Sequence, residues 1–273
     1  MIIKCEQILC EPKPICYSKV CTDKNTYVSD FCKESYQQFL SRHTYIFNCP
    51  PGRGKSHMII NNIVVNAYWQ RKKVVIFTNR VKLTDQYIKE EMQIVFNGDV
   101  DFAPSTHSLC NSYEPCCVIM SYQQLETKMQ SNLRNTLDEI DKFDVVVADE
   151  IHYILSDSTF NPKTRLSAEA ILMFLAPKVR YFLSATMEDV NMIIKKPWAF
   201  FEPLFTSEDI FLYTESLAYH EYPQNTNLAV IFHEYIMLAD YDYLDVFYFR
   251  NQDAIIDHII NTPANEKCLY FVQ

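Results

Sequence analysis

The segment Cys49-Pro50-Pro51-Gly52-Arg53-Gly54-Lys55-Ser56 combines two glycines, a lysine and a hydroxyl within five residues. The chain has 273 residues and only three glycines, so two of them falling here marks a backbone with a special task. Glycine at positive φ lets successive N–H groups point into one cradle, and a helix starting behind it adds a positive dipole. An ammonium such as that of Lys55 suits the β- and γ-phosphates of a nucleotide, and a hydroxyl such as that of Ser56 suits Mg²⁺. Pro51, Gly52, Arg53, Gly54, Lys55, Ser56 and the next residue, His57, are therefore candidate nucleotide contacts. Cys49 stands where the usual pattern has glycine, and it is small enough to pack the end of a strand.

Two further constellations follow in order. Asp149-Glu150-Ile151-His152 closes an apolar run, where an aspartate can share Mg²⁺ with Ser56 and a glutamate can orient and activate water. Ser184-Ala185-Thr186 closes another apolar run. Taken singly, the acidic pair reads as a solvated strand end and the hydroxyls read as backbone caps. Behind a phosphate loop, the same residues supply the cation site and base that phosphoryl transfer needs.

The elements that must position these groups are legible as apolar runs. Thr44 to Asn48 reads as a strand entering the loop, and His57 to Gln70 as a helix leaving it, with Met58, Ile59, Ile63 and Ala67 on one face. Strands are also expected at Lys73 to Thr78, Cys116 to Met120, Asp144 to Ala148 and Val179 to Leu183. Helices are expected over Arg80 to Phe96, after the Cys116 to Met120 strand to about Ile140, and over Arg165 to Leu175. Apolar strands alternating with helices predict a parallel α/β sheet covered on both faces, with ligands at the carboxyl ends of its strands. Residues 1–35 read as an N-terminal extension, 36–205 as the nucleotide-binding domain, and 206–273 as a linker and the start of a second domain. In that tail, Leu228 to Phe232, Leu244 to Phe249 and Cys268 to Val272 read as strands and Asp253 to Ile260 as a helix.

Net charge is −9 overall, but residues 202–273 carry 12 acids and only two bases. Residues 1–201 are close to neutral, so a nucleic-acid surface is possible there and disfavoured on the tail. The tail's many tyrosines and phenylalanines accordingly read as packing rather than as a base-stacking platform. No apolar run is long enough to cross a bilayer and no signal segment opens the chain, which leads to the expectation of a cytoplasmic protein. Of ten cysteines, Cys5, Cys10, Cys16, Cys21 and Cys32 crowd the start, at spacings that match no zinc pattern. They read as free thiols, with a metal-binding extension as the alternative.

In order and at strand ends, CPPGRGKS, DEIH and SAT resemble motifs I, II and III of the superfamily 2 DExH-type helicases and translocases. Phe77-Thr78-Asn79-Arg80 with Leu83 and Gln86 is similar to motif Ia, and Ile119 to Leu125 to the segment after it. Gln37, in the pair Tyr36-Gln37, resembles the upstream glutamine that contacts adenine. Lys267 to Gln273 resembles motif IV, the opening strand of a second RecA-like domain. The resemblance implies a P-loop RecA-like fold, ATP and Mg²⁺ as cofactors, and an ATP hydrolase that moves on DNA or RNA. By position it implies Lys55 and Ser56 at phosphate and Mg²⁺, Asp149 at Mg²⁺, Glu150 as base, and His152, Ser184 and Thr186 as couplers to the second domain. Thr78, Arg80, Ser121 and Gln124 become candidate contacts to the nucleic-acid backbone. Motifs V and VI, with the arginine finger, are not in this sequence, so slow turnover is expected of residues 1–273 alone. A restriction-type motor on duplex DNA and a nucleotide-gated binding module remain as alternatives.

Overall fold

The computed structural model describes residues 15–23, 25–79, 117–158, 162–188, 190–197, 230–238 and 252–261. The expected strands at Leu244 to Phe249 and Cys268 to Val272, the helix over Arg80 to Phe96, and the residues Cys5, Cys10, Arg80, Leu83 and Gln86 lie outside them. Seven parallel strands form one sheet: β1 (Ile15–Cys21), β2 (His43–Asn48), β3 (Val74–Thr78), β4 (Cys117–Ser121), β5 (Val145–Asp149), β6 (Val179–Ser184) and β7 (Ile231–Met237). Their spatial order is β1-β7-β2-β6-β5-β3-β4. The expected parallel α/β sheet is present, and five of its strands lie within a residue or so of the positions read from the sequence.

Strands β3, β4, β5 and β6 are buried along their whole length, which is why they appear as unbroken apolar runs. Alternate side chains divide between two cores. Ile46, Val75, Phe77, Val146, Ala148 and Phe182 face one core. Tyr45, Phe47, Ile76, Val145, Val147 and Tyr181 face the other. The second face is covered by α1 (Val28–Phe31), α2 (Lys33–Gln37) and a continuous helix, α3, made of Lys55–His57, the π-wound Met58–Val64 and Val65–Trp69. The π winding widens the buried stripe, so Ile60 and Val64 join Met58, Ile59 and Ile63 in the core.

The first face is covered by α4 (Tyr122–Ser131), α5 (Leu133–Ile140) and α7, which runs from Pro162–Glu169 into the π-wound Ala170–Phe174. α6 (His152–Ser158) precedes α7, and α8 (Asn191–Lys195) follows β6. The single helix expected to reach Ile140 is two, because Asn132 adopts an extended backbone and caps α5 with its side chain.

Two boundaries differ from the sequence reading. β1 falls within the supposed N-terminal extension, yet it pairs along its full length with β7. β7 falls within the supposed linker, three residues later than the expected strand, and lies between β1 and β2. The backbone hydrogen bonds of both strands belong to the central sheet, so the first compact unit runs to Ala239. The second unit, Asp240–Gln273, contains the expected helix as α9 (Gln252–Asn261).

A guanidinium is buried inside the sheet. Arg180 of β6 is only 1% exposed. Its guanidinium donates to Thr44 Oγ1 at 3.0 and 2.7 Å and to the carbonyls of Ile171 and Leu172 at 3.3 and 2.6 Å. The last carbonyls of a helix carry partial negative charge, so α7 supplies the counter-charge that a carboxylate would otherwise provide.

Candidate nucleotide site

The loop after β2 has the backbone that its glycines suggested. Gly52 and Gly54 both have φ +78°. Gly54 caps α3 in the left-handed region, and its carbonyl accepts from Met58 N at 2.9 Å. A Cβ at Gly54 would lie 3.2 Å from Tyr27 Cδ1, so two separate restrictions favour glycine there. Residues Thr26 to Val28 brace the loop. Val28 N donates to Arg53 O at 3.0 Å, and the Arg53 side chain reaches Thr26 O at 3.5 Å. This bracing segment comes from the stretch read as an extension, and nothing in its composition marks it.

Cys49 is fully buried, and its N–H donates to Ser184 O at 3.0 Å, tying the loop to the end of β6. Burial pushes its thiol up to about 12, so Cys49 serves as a small apolar filler rather than a nucleophile. Lys55 Nζ donates to Cys49 O at 3.0 Å and lies 3.5 Å from Glu150 Oε1. Ser56 is half-buried in the first turn of α3. Pro51 is exposed, and exposed His57 shares a hydrogen bond with Asn61 one turn along its own helix.

The β5 end reaches the same level of the sheet. Asp149 pairs in register with Leu183, and Leu183 with Phe47, one residue before the end of β2. Asp149 is 5% exposed, and its carbonyl accepts from the buried Tyr122 hydroxyl at 2.9 Å. Glu150 then turns at φ +53°, a left-handed conformation that costs a non-glycine residue about 1–2 kcal/mol. The turn holds because Ile151 N donates to Leu183 O at 3.2 Å and Tyr153 N to Glu150 O at 3.0 Å.

A chain of side chains starts from that turn. Glu150 Oε2 lies 3.3 Å from His152 Nδ1, which is 2.8 Å from Ser184 Oγ. Ser184 Oγ also accepts from Thr186 N at 2.9 Å and lies 3.4 Å from Thr186 Oγ1. A proton on His152 Nδ1 serves the carboxylate and the serine oxygen together. Lys55, Glu150, His152, Ser184 and Thr186, dispersed over 132 residues of sequence, are thus brought into one connected group.

Other expected residues are placed elsewhere. The backbone carbonyl of Gln37 accepts from Gln70 Nε2 at 3.1 Å, just beyond the last turn of α3. At 1.5 Å per residue that end is roughly 20 Å from the loop, so the adenine contact expected of Gln37 is not part of this cluster. Half-exposed Tyr27 stands beside the loop instead. Thr78 and Ser121 pair in register and are buried. Ser121 and Gln124 form a capping box: Gln124 N donates to Ser121 Oγ at 3.2 Å and Ser121 N to Gln124 Oε1 at 2.8 Å. The polar groups of Ser121 and Gln124 hold the start of α4. Cys16, Cys21, Cys32, Cys49 and Cys117 are free thiols, and among the described residues no group of three or more His, Cys, Asp or Glu side chains could hold a metal ion.

The sequence model of the type III restriction enzyme res subunit matches residues 24–189, more than half of the chain. The chain belongs to this family. Its matched region is a superfamily 2 helicase-like, RecA-fold ATPase domain. The match opens at residue 24, just ahead of the Thr26 to Val28 brace, and closes just after Thr186, spanning every residue of the connected group. No curated protein matches the chain. Among the described residues of this res-subunit relative, no helix is long and apolar enough to cross a membrane.

The donor types fit what such ATPase domains generally use, ATP with Mg²⁺. Two left-handed glycines set just ahead of α3 let backbone N–H groups face the loop, which suits phosphate oxygens. The Ser56 hydroxyl and the Asp149 carboxylate are hard oxygen donors of the kind Mg²⁺ takes.

Proposed function

We propose that this chain carries the ATP-binding half of a nucleic-acid translocase, with Lys55, Ser56, Asp149 and Glu150 at the reacting end of the nucleotide. The observation that carries the reading is the connected group from Lys55 through Glu150 and His152 to Ser184 and Thr186. Lys55 releases Glu150 to take the β- and γ-phosphates, and the loop N–H groups receive the remaining charge. Ser56 and Asp149 would hold Mg²⁺, and the ion would supply neutralisation of charge on the phosphates. Glu150, freed from the lysine, orients and deprotonates the attacking water. His152 reports that change to Ser184 and Thr186, which would couple it to a second RecA-like domain. An arginine of such a second domain would supply a large share of the rate, on the order of 10³-fold. Tyr27 is positioned to take the place of Gln37 beside the nucleotide base.

The family's description, a subunit of a restriction enzyme, supports the restriction-type motor, for which duplex DNA is the track to test. ATPase activity measured with no nucleic acid, duplex DNA, single-stranded DNA and RNA tests both parts. Stimulation by duplex DNA above the other polymers supports the restriction-type motor. Stimulation by single strands alone returns the reading to an unwinding enzyme. ATP binding without stimulated turnover by the complete protein leaves a nucleotide-gated module.

A further inference from the structure

The buried hydroxyl of Tyr122 has no part in the scheme above, yet it reaches the most strained point of the site. Tyr122 is the first residue of α4, and its ring stacks against Phe77 with centroids 6.4 Å apart. It is 4% exposed. Its oxygen donates at 2.9 Å to the carbonyl of Asp149, across 27 residues of sequence. That carbonyl belongs to the peptide leading into Glu150, which holds φ +53°. Within a packed core the tyrosine body cannot drift independently of α4, whose start is held by the Ser121–Gln124 capping box.

We propose that Tyr122 is a positioning residue that sets the Asp149–Glu150 turn and passes the state of the α4 N-terminus to it. The argument is geometric. A donor fixed on the carbonyl side limits rotation of the 149–150 peptide, and that rotation decides where the two carboxylates point. The other anchor of the turn, Ile151 N on Leu183 O, belongs to β6. The turn is therefore held between two elements: β6, which carries Ser184, and α4, at whose start stand the candidate track contacts Ser121 and Gln124. A displacement of α4 by a bound polymer moves the tyrosine oxygen and, through it, the peptide before Glu150. This inference rests on the proposed assignment of Asp149 and Glu150, and it adds the route by which nucleic acid stimulates turnover.

Tyr122→Phe in the full chain removes only the hydroxyl and leaves the ring packed on Phe77. Four measurements test it: binding of a fluorescent ADP analogue without Mg²⁺, the Mg²⁺ dependence of turnover, stimulation by duplex DNA and by a single-stranded oligonucleotide, and hydrogen exchange of peptides covering residues 145–155. Nucleotide affinity without Mg²⁺ is expected to stay within about twofold, because the phosphate loop is untouched. The loss of one buried hydrogen bond at the turn is expected to lower kcat about five- to tenfold and raise the Mg²⁺ needed for half-maximal rate by a similar factor. Polymer-induced protection of 145–155 is expected to disappear along with most of the stimulation. A folded Tyr122→Phe protein with the parental kcat, Mg²⁺ requirement and stimulation overturns the proposal and leaves the site assignment standing. Equal loss of nucleotide binding and turnover, with a lowered unfolding midpoint, also overturns it, since that pattern belongs to general loosening. A parent protein that binds nucleotide but never hydrolyses it overturns the site assignment first and this inference with it.

Discussion

Replacing Glu150 by glutamine should tighten nucleotide binding while abolishing turnover. The carboxylate oxygen lies 3.5 Å from Lys55 Nζ, with the two side chains 12% and 25% exposed, lysine first. At an effective dielectric constant of about 20, that separation corresponds to roughly 5 kcal/mol of attraction. Most of it is cancelled by desolvation of both groups and by the lysine's lost freedom, leaving a net contribution of about 1 kcal/mol. A nucleotide must displace this pairing before Lys55 can serve its phosphates. Glutamine keeps the shape and removes the charge, so affinity for ADP or a non-hydrolysable ATP analogue should rise about fivefold. Phosphate release should fall by about 10² to 10⁴, the range for loss of a general base. A fluorescence titration and a phosphate-release assay on the same preparations read both quantities. The affinity gain should shrink as salt is raised, because a partly exposed pair is screened. Weaker binding by Glu150→Gln, or turnover within a few-fold of the parent, would refute the competition between Glu150 and phosphate.

Three further perturbations follow from the same geometry. Gly54→Ala places a side chain at φ +78° and against the Tyr27 ring, a strain of about 1–2 kcal/mol that should weaken nucleotide affinity roughly tenfold in the same titration. Arg180→Met leaves Thr44 and two helix carbonyls without their donor and should cost about 3–5 kcal/mol in urea unfolding; adding Thr44→Val should return part of that loss, and strict additivity would argue against the network. His43 Nδ1 and His233 Nε2 lie 2.9 Å apart, and burial lowers the pKa of both below the usual histidine value. The unfolded chain therefore takes up these protons first, so stability should be complete above about pH 6.5 and fall as pH drops below it. Denaturation midpoints between about pH 7.5 and 5.5 should show that slope, and His233→Phe should flatten it.

What the sequence reveals here depends on how each element is buried. β3, β4, β5 and β6 are covered on both faces, so their composition alone identifies them. β1 is exposed along six of its seven residues and reads like a connecting segment. β7 was displaced in the reading because His233 and Glu234 interrupt its apolar pattern. Both are accommodated inside the sheet, Glu234 by Ser18, Asn191 and Lys195, with its carboxyl held below the usual range against the opposing pull of burial. Arg180 misleads in the same way, because the counter-charge is a helix end that no local pattern announces. At the site, the connected groups are legible because each follows a recognisable strand. The place of Gln37, beside the far end of α3, is not legible because separation along the chain does not encode the path from α2 to β2. Tyr122 and the Thr26 to Val28 brace were missed because only contacts between distant segments single them out.

The position of β7 also fixes an order of events during synthesis. Among the described residues β1 pairs with β7 alone, and β7 separates it from β2, so β1 has no described partner until β7 arrives. The His43–His233 contact between β2 and β7 spans 190 residues, about 10–40 s of elongation at 5–20 residues per second. During that interval β2 through β6 can assemble while an apolar-edged segment containing Ile15, Tyr17 and Val20 waits on the nascent chain. The ATPase domain is therefore completed by strand insertion. Until residue 237 has left the ribosome, the phosphate loop sits on a strand that is still open on one side.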